Sequence, residues 1–215
     1  MDVFLIPGLG ADHRLFAKLE LPGHRVVGFD WPEMPKGSTL SDFAAVLAAQ
    51  VDKDRPHALV GVSMGGMVAQ EMAALTAPRR VVIISSWKGP HEMPRPIKVL
   101  RGTHPERVLT RAFIQRTRPI LHWQMGTTTP EATQLFDALL LVHTPEQLRV
   151  QVDAALNWNG PSEPVKGLVH IHGDTDHLMP LASIKGAQVV KGGGHFMVFT
   201  HAGAVSPLVQ RALQD

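Results

Sequence analysis

The 215-residue chain contains no cysteine and no tyrosine. Without cysteine it has neither a disulfide framework nor a thiol nucleophile. With thiols and phenols both missing, little titrates between histidine and lysine. A formal net charge of +2 therefore suffices to carry the isoelectric point to 9.2. That value is no sign of a nucleic-acid partner. No basic-then-apolar leader precedes Val3-Phe4-Leu5-Ile6, and no apolar run is long enough to cross a bilayer. The expectation is a cytoplasmic protein with neither a membrane nor a nucleic-acid partner. The sequence is silent on oligomeric state. It also lacks G-x-G-x-x-G, Gly-Lys-Ser/Thr and H-E-x-x-H, so dinucleotide, phosphate-loop and zinc-protease chemistry have no support. No cofactor and no metal are expected.

Hydrophobic content of 44% and charged content of 19% describe an ordinary globular chain, read as a single domain over 1–215. Strand-like runs fall at Val3 to Ile6, Arg25 to Phe29, Ala58 to Val62, Val81 to Ile84, Leu168 to His172 and Ala187 to Val190. Helical patterns lie between them: near His13 to Leu19, from a capping box at Thr39 to Asp42 through Val51, from Met64 to Thr76, and from Ala202 to Leu213. Residues 87–160 change character. Strand-like runs vanish, and helices are predicted at Glu106 to Arg116, Pro130 to Val142 and Pro145 to Asn157. This segment reads as a helical cap inserted into the domain. Strands alternating with helices predict an α/β fold, a mostly parallel sheet of about six strands covered on both faces. Ligands in such sheets bind beyond the carboxyl ends of the strands. The loops there follow Ile6, Val62, Ile84, His172 and Val190.

One of these loops holds Gly61-Val62-Ser63-Met64-Gly65, a G-x-S-x-G pattern with a strand before it and a helix after it. A strand that turns at once into a helix forces its middle residue into a strained conformation, and it needs small neighbours on both sides. Ser63 is then thrust out above the amino terminus of the following helix, where developing negative charge is favoured. A serine hydroxyl is weakly nucleophilic at neutral pH and needs a base, which in turn needs an orienting acid. His195, after the glycine run 192–194, is the candidate base. Asp174 and Asp176 compete for the acid; Asp176 is the choice, with Asp174 holding the turn. Two backbone N–H groups must face the oxyanion. Met64, the residue after the serine, supplies one. The loop Pro7-Gly8-Leu9-Gly10 supplies the other, through Leu9 first and Gly10 next.

Together, Pro7-Gly8-Leu9-Gly10-Ala11-Asp12, Gly61 to Gly66, His172-Gly173-x-x-Asp176 and Gly193-Gly194-His195-Phe196 resemble the α/β-hydrolase fold family. They also resemble, less specifically, compact bacterial serine hydrolases with a Gly-Leu-Gly-Ala-Asp loop. The resemblance spans the chain in the family's order. It implies Ser63, Asp176 and His195 as a triad, and a cap after the fourth strand. Two departures stand out. The fold usually begins with two further strands, so the sheet is expected to be trimmed. The oxyanion loop starts Pro7-Gly8 rather than His-Gly, so no histidine steadies it. The expected activity is hydrolysis of small, largely apolar carboxylic esters through an acyl-enzyme. Thioester, lactone and acyl-transfer chemistry, or a non-enzymatic binding role, are the alternatives. Ser63 at the elbow and the missing tyrosines disfavour dehalogenase and epoxide-hydrolase relatives.

Gly10, Trp87 and Phe196 are the expected substrate contacts. Trp123, Met125, Phe136, Trp158 and Met179 are further wall candidates. His170, His172 and His177 do not have metal-ligand spacing. The basic run Arg95, Lys98, Arg101, Arg107, Arg111, Arg116 and Arg118 reads as a solvated face rather than an anion site.

Overall fold

The structure, a computed structural model, describes residues 1–214. Six strands form one parallel sheet: β1 (Asp2–Ile6), β2 (Arg25–Gly28), β3 (His57–Val62), β4 (Arg80–Ile84), β5 (Leu168–Gly173) and β6 (Gln188–Val190). Their order is β2-β1-β3-β4-β5-β6, with every neighbouring pair parallel. The alternation predicted a parallel sheet covered on both faces, and the trimming to six strands is what the family resemblance implied.

Residue alternation along the strands divides the interior into two cores. Val3, Leu5, Ala58, Val60, Val62, Val82 and Ile84 face one side. There they meet Val205, Val209, Ala212 and Leu213 of the closing helix α8 (Ala202–Gln214). Phe4, Ile6, Leu59, Val81 and Ile83 face the other side. There they meet α1 (Leu40–Ala48) and α2 (Met64–Thr76) through Phe43, Leu47, Met67, Val68 and Met72. The Thr39 box that opens α1 is reciprocal: Thr39 accepts from the Asp42 N–H, and Asp42 accepts from the Thr39 N–H.

Between β4 and β5 lie α3 (Arg95–Lys98), α4 (Arg111–Met125), α5 (Pro130–Leu139) and α6 (Pro145–Leu156). The first of the long cap helices starts later and runs further than predicted. Residues 105–108 form only a 3-10 turn, and Leu109 is extended. Thr110 then caps α4 by accepting from the Phe113 N–H. Pro119 sits inside α4 rather than ending it. The helix predicted near His13 is a single 3-10 turn, His13–Phe16, capped by Asp12. Short helices at Arg95–Lys98 and α7 (Met197–Thr200) carry no strong periodicity in the sequence.

Three of the basic cap residues tie segments of the cap together. Arg111 donates to the Leu140 and His143 carbonyls at 2.9 and 2.7 Å, and Arg118 pairs with Asp137. Arg101 donates to the Asn157 carbonyl and to Asn159 Oδ1.

Candidate active site

The chain runs outward from β1 to β2 and then returns to β3 on the other side of β1, so the winding reverses between β1 and β3. Loops leaving two such strands diverge and open a crevice. The Pro7–Ala11 loop leaves β1, and Ser63 follows β3 directly.

Ser63 adopts φ 55° and ψ −122°, a region that costs a non-glycine residue about 1–3 kcal/mol. The surroundings hold it there. Its N–H donates to the Ile84 carbonyl at 2.9 Å. Its carbonyl accepts from Ser86 Oγ at 2.7 Å and from the Gly66 N–H at 2.9 Å. The flanking glycines are set by contact, not by their own dihedrals. A methyl on Gly61 would strike the Gly65 carbonyl, and one on Gly65 would strike the backbone carbonyls of Ile6 and Pro7.

Ser63 Oγ lies 3.0 Å from His195 Nε2, and His195 Nδ1 lies 2.8 Å from Asp176 Oδ2. All three side chains are buried. With the ring proton on Nδ1, His195 donates to the carboxylate and presents a bare Nε2 to the serine hydroxyl. The other Asp176 oxygen accepts the backbone N–H groups of Leu178 (3.0 Å) and Met179 (2.7 Å). Burial works to raise the Asp176 carboxyl, but the His195 charge and these hydrogen bonds hold it below the ordinary aspartate value. Asp174 points elsewhere: its Oδ1 accepts the Gly192 N–H at 2.7 Å and ties the β5 and β6 loops together.

Behind Asp176 lie His170 and His172, which the sequence reading weighed only as metal ligands and set aside. His172 Nε2 donates to the Met179 carbonyl at 2.7 Å, while the Met179 N–H serves Asp176. His170 Nε2 stands 3.2 Å from His172 Nδ1. Both imidazoles are kept neutral by burial, and His170 is pushed down to about 3. The signal was the His-x-His spacing on one strand, which puts both rings on one face.

A cavity of about 360 Å³ opens against Ser63. Its walls come from the β1 loop (Gly8 to Ala11), from α4 (Ile114, Leu121, Met125), from α5 (Phe136, Leu139) and from α6 (Leu148, Val152). Gly10, Trp87 and Phe196 all line it, as do Met125, Phe136 and Met179. Trp123 does not: it is 61% exposed and stacks on His177 at 4.3 Å. Trp158 is buried in the α1–α2 core and donates to Glu71. Gln124 is the one amide side chain on the cavity wall, and His195 is the one ionisable side chain there among the described residues.

The N–H groups of Leu9 and Met64 find no acceptor among the described residues. Gly10 differs, because its N–H is given to Gln151 Oε1 at 2.8 Å. That bond separates the two loop donors considered from sequence. The sequence could not show it, since the acceptor lies 141 residues away. Among the described residues, two groups of metal-ligand type occur, Asp12-His13-Asp30 and His104-Glu106-Asp153, and neither includes Ser63, Asp176 or His195. In the first, the Arg14 side chain already clasps Asp12.

Comparison with solved structures returned an esterase from Thermogutta terrifontis at 18% identity and a TM-score of 0.78, covering 100% of this chain and 89% of that one. It also returned a hydrolase from Oleispira antarctica at 16% and 0.74, covering 100% and 91%. A bromoperoxidase from Bacillus anthracis followed at 20% and 0.69, covering 100% and 92%. At these identities the likeness is one of fold. Comparison with curated protein sequences gave no match. A model of the alpha/beta hydrolase family matches residues 3–208. Spanning nearly the whole sequence, that match establishes that the chain belongs to the alpha/beta hydrolase family.

Proposed function

We propose that the protein is a serine hydrolase that cleaves uncharged carboxylic esters with an aliphatic acyl group. The observation that carries this reading is the unbroken line from Ser63 Oγ through His195 to Asp176, at 3.0 and 2.8 Å. Ser63 attacks the ester carbonyl while His195 Nε2 takes its proton. The N–H groups of Leu9 and Met64 bind the oxygen on which negative charge develops. His195 then hands the proton to the departing alcohol, leaving an acyl-Ser63 ester. Water, activated by the same nitrogen, attacks that ester and frees the acid. Asp176 keeps the imidazole in the tautomer that each step needs and stabilises the imidazolium formed on the way.

The walls narrow the substrate class. A nearly unbroken apolar lining offers nothing to a charged acyl group, whose desolvation would go uncompensated. At about 30 Å³ per water-sized group, 360 Å³ holds roughly ten to twelve non-hydrogen atoms. Acyl chains of about six to ten carbons fill it, whereas acetyl leaves most of it empty. Thioesters and lactones of similar size use the same groups and fall within the reading.

The test is kcat/KM on p-nitrophenyl esters of increasing acyl length, with Ser63→Ala alongside. Turnover that peaks at medium length and disappears in Ser63→Ala supports the reading. No turnover on any ester, with Ser63 inert to a fluorophosphonate probe, sinks it in favour of a binding protein that keeps the pocket without the chemistry.

A further inference from the structure

Two consecutive peptide planes of the β1 loop are pinned, one from the body of the protein and one from the cap. The first plane contains the Gly8 carbonyl and the Leu9 N–H, which point in opposite directions because the peptide is planar and trans. The Gly8 carbonyl accepts the Trp31 indole N–H at 2.8 Å and the Ala11 N–H at 3.1 Å. Fixing that oxygen fixes the direction of the Leu9 N–H. The second plane contains the Gly10 N–H, held at 2.8 Å by Gln151 Oε1 of α6. Gln151 is only 2% exposed. One turn earlier on α6, Leu148 Cδ2 stands 3.0 Å from where a Gly10 side chain would begin.

We infer that Trp31 and Gln151 are positioning residues for the oxyanion-binding amide of Leu9, and that Gln151 makes the geometry of this amide conditional on the cap being seated. The inference rests on the serine-hydrolase reading. The acceptor role is specific to Gln151. Without it the Gly10 N–H would sit on an apolar wall with no partner, and the Leu9–Gly10 peptide could flip to seek one. A flip exchanges the directions of the Leu9 carbonyl and the Gly10 N–H and changes the backbone angles on either side of that plane, which unseats the loop that presents the Leu9 N–H. The body of the protein thus orients one plane and the cap the next.

The variants are Gln151→Met, which keeps length and loses the acceptor, Gln151→Glu, which keeps an acceptor oxygen, and Trp31→Phe, which removes the indole N–H. Steady-state kinetics on the best p-nitrophenyl ester are paired with the affinities of two inhibitors of the same chain length. One is an alkyl trifluoromethyl ketone, which becomes tetrahedral on Ser63. The other is an unreactive alkyl amide, which stays planar. For Gln151→Met and Trp31→Phe the expectation is a kcat loss of about 10- to 100-fold, the scale of a misplacement near 1 Å, with KM nearly unchanged. Trifluoromethyl ketone affinity should fall in step with kcat, and amide affinity should hold. Gln151→Glu should recover most of kcat. An unchanged kcat in both acceptor-loss and donor-loss variants overturns the proposal. So does a loss confined to KM, or an equal fall in affinity for the two inhibitors, since general loosening of the cap would produce either. A wild-type enzyme with no turnover and an unlabelled Ser63 would instead refute the serine-hydrolase reading itself.

Discussion

Acidifying the protein charges a group that the fold is built to keep neutral. His170 is buried and its imidazole is pushed down to about 3, first by burial and then by the adjacent His172. In the unfolded chain it titrates near 6.5. The folded state therefore binds fewer protons than the unfolded state between those two values, and stability falls as pH drops below about 6.5, levelling off near 3. At pH 5 the penalty from this residue alone comes to about 2 kcal/mol, from a gap of about 1.5 pH units at roughly 1.4 kcal/mol each. The perturbation is His170→Gln, which keeps a donor for His172 Nδ1 and removes the titration. Urea unfolding at a series of pH values between 8 and 5 measures it. The variant loses some stability at every pH from imperfect packing, but its curve should fall less steeply on the acid side, closing the gap to wild type by about 2 kcal/mol at pH 5. Parallel curves for the two proteins would refute the reasoning.

Three further outcomes are expected. Asp176→Asn should lower kcat about 10⁴-fold by leaving His195 in the wrong tautomer, whereas Asp174→Asn should leave kcat close to wild type; the reverse pattern would reassign the acid. Gly65→Ala should destabilise the protein by about 3 kcal/mol or more in urea melts, because the methyl meets backbone carbonyls that cannot move aside; a near-normal melt would show that the β1 loop yields more easily than its contacts imply. Ala155→Phe, which fills part of the cavity, should move the acyl-length optimum down by several carbons. Each methylene thereby excluded forfeits about 0.8 kcal/mol, roughly a fourfold change in kcat/KM.

How much of this was legible in the sequence depended on whether the information was local. The strands were readable because each is a short apolar run bounded by turns, and the elbow because its glycines and serine are contiguous. The choice between Asp174 and Asp176 followed from loop chemistry, and the hydrogen bonds now give each a distinct partner: Asp174 holds the Gly192 N–H, and Asp176 faces His195. The cap resisted. Trp123 and Trp158 looked like pocket walls by residue type, yet one lies outside and the other beneath α2. Helix α4 was placed too early and too short: its start is set by the Thr110 cap rather than at Glu106, and it continues through Pro119 to Met125. Gln151 left no local trace at all. A glutamine inside an amphipathic helix is ordinary, and only the packing of α6 on the β1 loop gives it a partner.

The far end of α4 carries one more consequence. The Phe196 N–H donates to the Met125 carbonyl at 2.8 Å, and a Cβ on either Gly126 or Gly194 would stand only 3.2 Å from the other's Cα, a tight contact. The residue between Gly194 and Phe196 is His195. This end of the cap is therefore tied to the loop that carries His195, so in the proposed mechanism any displacement of α4 there would also shift the base relative to Ser63.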